Sequence, residues 1–189
     1  MNTITEVKNF VEEECKKPTS HYGYEPFVYH FPFVVQYALE LADRLGGDKE
    51  VLTIAGWLHD IGSIVYGRDD HHISGAKIAT EKLKKLGYQK EKIELVKNCI
   101  LSHRGSQNNH RASIEEQIIA DADALSNFDN IGGIFKAAFI YEGLDQAEAQ
   151  KSVWEKLERK WDKLHFTESK DIIRPKYEAA KLLLKENKA

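Results

Sequence analysis

Histidine and aspartate side chains recur in this sequence at points where apolar helical patterns begin or end. His59 and Asp60 are adjacent in the apolar run "AGWLHDIG", and together they offer a nitrogen and an oxygen ligand for a divalent cation. A carboxylate is costly to bury alone, but a bound cation removes that cost because it supplies the missing charge. The residue types therefore predict a metal site whose other members come from elsewhere in the chain.

The elements that would position these ligands are predicted to be α-helices. Apolar residues repeat at helical spacing along the chain, without an alternating strand pattern or an internal repeat. We predict an all-α bundle of eight or nine helices with no clear domain boundary. The third helix should run from Asp48 to about Gly62, and the last should begin near Pro175. Predicted helix starts are the capping boxes Thr3 with Glu6, Ser113 with Glu116 and Asp145 with Glu148, and the cap Asp48.

On this map the candidate ligands lie mostly at helix ends, where several helices can converge. They are His30 before the second helix, His59 and Asp60 at the end of the third, His72 at the start of the fourth, His103 at the end of the fifth, and Asp121 and Asp123 on the sixth.

The composition limits the partners and the compartment. The 189 residues carry a net charge of −3, which gives no reason to expect nucleic acid or an anionic membrane as a partner. Cys15 and Cys99 form no CxxC motif, and the start of the chain lacks a basic, apolar signal. We expect a cytoplasmic protein. The helical stripe of Trp154 and Trp161 predicts either core packing or a homodimer face.

Three segments in order resemble the HD-domain superfamily, which consists of all-α, metal-dependent phosphohydrolases. "HFPFVVQYALELA" is similar to the helix of the first histidine, "AGWLHDIG" to the helix with the HD pair, and "DADALSNFDNIG" to the helix of the last aspartate. The resemblance implies one HD-type domain over residues 1–189, with a metal-binding core at about 26–140 and C-terminal helices at 145–187 packed on it.

The resemblance also implies a ligand set for one or two divalent transition ions. His30, His59, Asp60 and Asp123 would bind the first ion. A second ion would be bound by His72, His103 and a shared Asp60. Mixed nitrogen and oxygen ligands are compatible with Mn, Fe, Ni, Co or Zn.

The final aspartate is ambiguous. Helical periodicity places Asp121 on the apolar stripe, whereas the family resemblance favours Asp123 in "ADAL". A helix buried on both faces would reconcile the two, and we choose Asp123 as the ligand. Asp121 is then a group beside the ligands or a helix-packing partner.

The resemblance implies hydrolysis of a phosphoester or phosphoanhydride in a small-molecule phosphorylated substrate, with a nucleotide as the substrate class, by a water that the metal activates. Asp60 and Asp121 are the candidate catalytic carboxylates. The candidate phosphate contacts lie in or near loops beside the ligands and are Arg68, Arg104, Arg111 and Lys136. The aromatic segment from Tyr22 to Tyr29 could cover a base or simply pack as a lid.

Two alternatives remain open. Some HD-fold proteins with six ligands hold two irons and oxidise a substrate with O₂, and others have lost their ligands and act as binding modules. Simpler roles are predicted for two other histidines, because His71 and His110 lie in polar segments and are interpreted as surface residues.

Overall fold

The computed structural model describes residues 2–104 and 111–185, and these residues form α-helices and connecting loops without any strand. Eleven helices are present in these two ranges, nine of them with ten residues or more, which confirms the predicted all-α class. In chain order they are α1 (Thr3–Lys16), α2 (Glu25–Tyr29), α3 (Phe31–Leu45), α4 (Lys49–Leu58), α5 (Ile61–Tyr66), α6 (His71–Lys85), α7 (Lys90–Ser102), α8 (Ile114–Ser126), α9 (Ile131–Ile140), α10 (Gln146–Asp162) and α11 (Thr167–Leu184).

Most predicted helix starts are confirmed. The Asp48 carboxylate accepts hydrogen bonds from the backbone N–H groups that open α4, and Ser113 accepts one from Glu116 at the start of α8. Asp145 and Glu148 form a reciprocal capping box at the start of α10. These caps satisfy N–H groups that have no partner inside the helix.

Two predicted boundaries are wrong. The cap of α1 is Asn2, whose side chain accepts from the backbone N–H of Ile4, so Thr3 lies inside the helix. The last helix begins at Thr167, and Pro175 lies within it. A proline removes one backbone donor, but packing of α11 through its buried residues Ile173 and Tyr177 outweighs that loss.

The predicted third helix is interrupted at the residues of most chemical interest. Helix α4 ends at Leu58 and α5 begins at Ile61, so His59 and Asp60 occupy the bend between them. Helix α5 then lies very close to α6, because a Cβ atom on Gly62 would be 2.1 Å from the carbonyl oxygen of His71. Only glycine fits there, and this contact brings the start of α6 against the bend.

One cluster of buried apolar side chains draws members from every helix. Helix α8 is central to it, since its residues from Glu115 to Ser126 are buried except Gln117. Trp154 is 6% exposed and Trp161 stacks on Tyr177 with ring centroids 4.2 Å apart. The tryptophan stripe therefore packs within the chain, and the homodimer face remains a prediction.

Within the described ranges, no helix combines the length and the apolar character needed to cross a membrane.

Candidate metal centre

Two groups of ligand atoms meet where α3, α6, α7 and α8 approach the α4–α5 bend. The first group contains His30, His59 and Asp123, and the second contains Asp60, His71 and His103. Within each group the ligand atoms lie within 4.8 Å of one another. The sequence thus predicted the convergence of five of these six side chains from separate helices.

Asp60 lies between the two groups. Its Oδ1 atom is 3.3 Å from Nε2 of His71 and 3.4 Å from Nε2 of His103. Its Oδ2 atom is 3.6 Å from Nε2 of His30 and 3.7 Å from Nε2 of His59. One carboxylate therefore offers one oxygen to each group, as expected for a ligand shared by two cations.

Local backbone hydrogen bonds fix a proton on Nδ1 in three of the four imidazoles. The Nδ1 atoms of His59, His71 and His103 lie 2.9, 2.7 and 2.6 Å from the carbonyl oxygens of the residues three positions earlier. Because a carbonyl oxygen only accepts, each Nδ1 must carry a proton and donate. In a neutral ring, Nε2 is then left with a lone pair.

The fourth imidazole reaches the same state through a serine. The Ser126 hydroxyl donates to the carbonyl oxygen of Asp123 at 2.8 Å, so its oxygen accepts from Nδ1 of His30 at 3.1 Å. The lone pair of His30 Nε2 consequently faces that of His59 Nε2 across 3.0 Å. Two acceptors at this distance repel unless a cation lies near both, and the donor set therefore fits a divalent transition metal.

The electrostatics of the site favour ionised carboxylates and at least one neutral imidazole. Burial lowers the pKa of His59 to about 4. Burial opposes ionisation of Asp60 and Asp123, yet neighbouring histidines, and Lys160 beside Asp123, hold the pKa of both carboxyls well below the usual range. Burial opposes charge on His103 as well, yet Asp60 raises the pKa of that imidazole. Metal binding requires ionised carboxylates and neutral imidazoles, so a bound ion would take the place of any proton on His103 Nε2.

The structure corrects the predicted choice of His72. His71 enters the second group, and its Nε2 lies 3.3 Å from Nε2 of His103. His71 is 7% exposed, so its interpretation as a surface residue is wrong. His72 is buried elsewhere, and its Nδ1 has no hydrogen-bond partner among residues 2–104 and 111–185.

Asp121 does not join the metal centre. Its carboxylate accepts from the backbone N–H groups of His165 and Phe166 and from the Ser169 hydroxyl, at the start of α11. These hydrogen bonds match the packing role that was the alternative for this residue, and its catalytic role stays a prediction. Burial of α8 on two faces reconciles the two aspartates.

A cavity of about 830 Å³ opens beside the ligands and has Asp60, His71, His103 and Asp123 in its wall. This volume suits a small organic ligand. Three of the predicted phosphate contacts, Arg68, Arg104 and Lys136, line it. The Lys136 ammonium is already paired with Glu25 at 2.8 Å.

Arg111 is not with them. Its Nε donates to the carbonyl oxygen of Ser102 at 3.1 Å, and the residue is absent from the cavity wall. Its guanidinium holds the end of α7 instead of facing a substrate.

Sequence reasoning missed the largest source of positive charge in the cavity, which is α10. Lys160 donates to Oδ2 of Asp123 at 2.7 Å. A signal was present, because basic residues on this helix recur at spacings of three and four and so share a face. The α10 side chains in the wall are Lys156, Arg159 and Lys160, with Lys163 following the helix.

The chain belongs to the HD domain family, since the sequence profile of that family matches residues 27–127. The chain is 37% identical over 101 residues to an uncharacterized protein of Clostridium beijerinckii, a match that covers 51% of this chain and 62% of that protein. It is 38% identical over 86 residues to ribonuclease Y of Oceanobacillus iheyensis, covering 46% of this chain and 15% of the enzyme. The matched segments thus span less than two thirds of either relative.

Solved structures share the fold over almost the whole chain. An HD-superfamily hydrolase from Bacillus thuringiensis is similar with a TM-score of 0.70 and 20% identity, covering 95% of this chain and 92% of the other. Bacillus subtilis YpgQ in complex with ADP gives a TM-score of 0.69 and 19% identity, with 93% and 90% covered. A Lactobacillus plantarum protein gives 0.75 and 16%, with 96% and 93% covered.

Proposed function

We propose that this protein is a metal-dependent phosphohydrolase that cleaves a phosphoester or phosphoanhydride bond of a nucleotide. The observation that carries the proposal is a cluster of six ligand groups, five of which lie in the wall of a cavity that is also lined by arginine and lysine side chains. Ligands of this type suit a transition ion, and the cations suit phosphoryl oxygens.

His30, His59 and Asp123 would hold one ion, and His71 and His103 a second, with Asp60 shared. When bound, such ions supply Lewis acidity and lower the pKa of a coordinated water toward neutrality. The protein keeps the imidazole lone pairs directed inward through the Nδ1 hydrogen bonds. It therefore arranges the ligands before any ion or substrate arrives.

The remaining residues of the cavity would bind and orient the substrate. Arg68 and Arg104 would contact phosphoryl oxygens, because catalysis of phosphoryl transfer depends mainly on position and positive charge. Tyr29 and Tyr141 line the cavity and are each 55% exposed, so their rings offer stacking surfaces for a base. The names of two relatives support this chemistry, one being a ribonuclease and one having been crystallised with ADP.

The test is a screen for phosphate release from nucleotides and short RNA, with Mn, Fe, Ni, Co and Zn supplied separately. The matched control is Asp60→Ala, which removes the shared ligand. We expect release by the wild type with at least one ion and loss of release in the variant. Equal release by both proteins, or none with any ion, would overturn the proposal.

The same six ligands could also hold two irons for an O₂-dependent oxidation. The abundance of cations in the cavity wall favours an anionic phosphorylated substrate over this alternative. Oxygen uptake by iron-loaded protein, in the absence of phosphate release, would support the oxygenase instead. We further propose a single domain over residues 1–189, because the C-terminal α10 contributes Lys160 to the ligand Asp123.

A further inference from the structure

Lys156 on α10 adds a positive charge to the cavity. It lies in the cavity wall and is partly buried. No hydrogen bond or ion pair joins its ammonium to the part of the chain that the structure describes. Lysine side chains at such positions normally find an anion.

The position of Lys156 relative to the metal centre follows from α10. Lys160 donates to the ligand Asp123, and Lys156 precedes it by four residues. Residues four apart lie on the same face of a helix, about 6 Å apart along its axis. Lys156 is thus displaced from the metal centre by about one helical turn along the cavity wall.

Arg68, in the loop between α5 and α6, adds a second positive charge near this ammonium. Burial, Lys160 and Arg68 lower the pKa of Lys156 to about 8, against the smaller opposite influence of Asp123 and Glu142. An arrangement of cations that disfavour one another's charge is relieved when an anion lies among them.

We propose that Lys156 is a specificity-determining residue that binds a second phosphate of the substrate, next to the phosphoryl group held at the metal centre. The proposal rests on the proposed function and narrows it to substrates with two or more consecutive phosphates. A substrate with one phosphate placed at the ligands leaves Lys156 unmatched. A diphosphate, or a longer run of phosphates, would extend along the wall and give both Lys156 and Arg68 an oxygen partner.

The experiment measures binding of inorganic pyrophosphate and inorganic phosphate to metal-loaded protein by titration calorimetry. Metal content is determined afterwards, so that binding is not confused with removal of the ions. The test variant is Lys156→Met, and Lys156→Arg restores the charge. The matched control is Lys151→Met, an exposed lysine of the same helix that is absent from the cavity wall.

We expect the wild type to bind pyrophosphate more tightly than phosphate. Lys156→Met should weaken pyrophosphate binding about tenfold and phosphate binding less than about twofold, since one charge-assisted contact is lost. Lys156→Arg should retain most of the affinity, and Lys151→Met should change neither. No preference in the wild type, or an equal loss for both anions in Lys156→Met, would overturn the inference.

The outcome is distinguishable from failure of the proposed function. Binding is measured without turnover, so a protein that hydrolyses nothing can still show the Lys156-dependent preference. Conversely, a wild type that releases phosphate but shows no Lys156-dependent preference for pyrophosphate retains the proposed function and contradicts the inference.

Discussion

Asp121 and Asp123 are two buried carboxylates on the same helix, and they are stabilised in different ways. Asp121 accepts from two backbone N–H groups and the Ser169 hydroxyl, all supplied by the start of α11. Asp123 has Lys160 at 2.7 Å and lies 3.7 Å from Nε2 of His30. The first carboxylate is satisfied by the fold itself, whereas the second belongs to a group of lone pairs that a cation completes.

The comparison separates structural from functional burial of charge. A buried carboxylate that is surrounded by donors contributes to folding, and its neighbours need nothing from solution. A buried carboxylate among imidazole lone pairs is poised for an ion. The burial of each residue is similar, so the identity of the neighbouring atoms makes the difference.

The largest expected effect is the loss of metal and activity in Asp123→Asn, which changes the carboxylate on the metal-facing side of α8. An amide is a poorer ligand than a carboxylate and carries no charge, so metal should be lost and phosphate release should fall on the order of 1000-fold. Elemental analysis and a phosphate-release assay check this. Unchanged metal content in the variant would remove Asp123 from the ligand set.

On the other face of α8, Asp121→Ala should affect folding and not metal binding. Its removal leaves buried donors of α11 unsatisfied, and we expect the free energy of unfolding to fall by about 3 kcal/mol. Urea denaturation of the metal-free protein checks this value, with Ser169→Ala as a milder control. A stable Asp121→Ala protein that has lost its metal would reverse the assignment of the two aspartates.

Adjacent histidines allow a matched test of the second group. His71→Ala should weaken metal binding about tenfold or more, because it removes a ligand nitrogen, while His72→Ala should change it less than about twofold. Competition with a coloured chelator measures both affinities. The opposite ranking would show that His72, and not His71, binds the ions.

The smallest effect expected is a pH dependence of pyrophosphate binding that is due to Lys156. Its neighbours are Lys160 on α10, Arg68 after α5, Asp123 on α8 and Glu142 after α9. With its pKa lowered to about 8, the lysine is charged below that pH and neutral above it. Affinity should therefore fall as the pH rises through 8, by about tenfold in total at most, which is the loss expected for Lys156→Met. Calorimetry on Lys156→Met gives the baseline, because the pH dependence that remains in this variant comes from the ionisation of pyrophosphate. A wild type with the same pH dependence as the variant would contradict the prediction.

The fold class and most of the ligand set could be predicted because both depend on local patterns. Helical spacing of apolar residues predicts an amphipathic helix. Ligands at the ends of such helices can converge when the helices pack. The choice between His71 and His72 could not be made in this way. It depends on where α6 starts, and Asp70 precedes that start with a left-handed φ of 46°, which no periodic pattern reveals.

The cations of α10 were missed for a different reason. A helix with Glu155, Lys156 and Arg159 in sequence resembles a solvated surface, and charges of both signs occur along its whole length. Which of its faces meets the cavity depends on tertiary packing against α8 and α9. Because α10 is far from the ligands in the sequence, the contact of its basic face with the cavity could not be predicted.

The hydrogen bonds from three imidazole Nδ1 atoms to carbonyl oxygens three positions earlier have a mechanical consequence. Each ring is anchored within a single turn of its own backbone, so its orientation travels with that helix end as a rigid unit. Thermal motion or distant substitutions would then translate whole ligands toward or away from each other without twisting them. The affinity of this centre for metal should therefore depend on the spacing between helix ends, while the direction of each Nε2 lone pair relative to its own helix end stays the same.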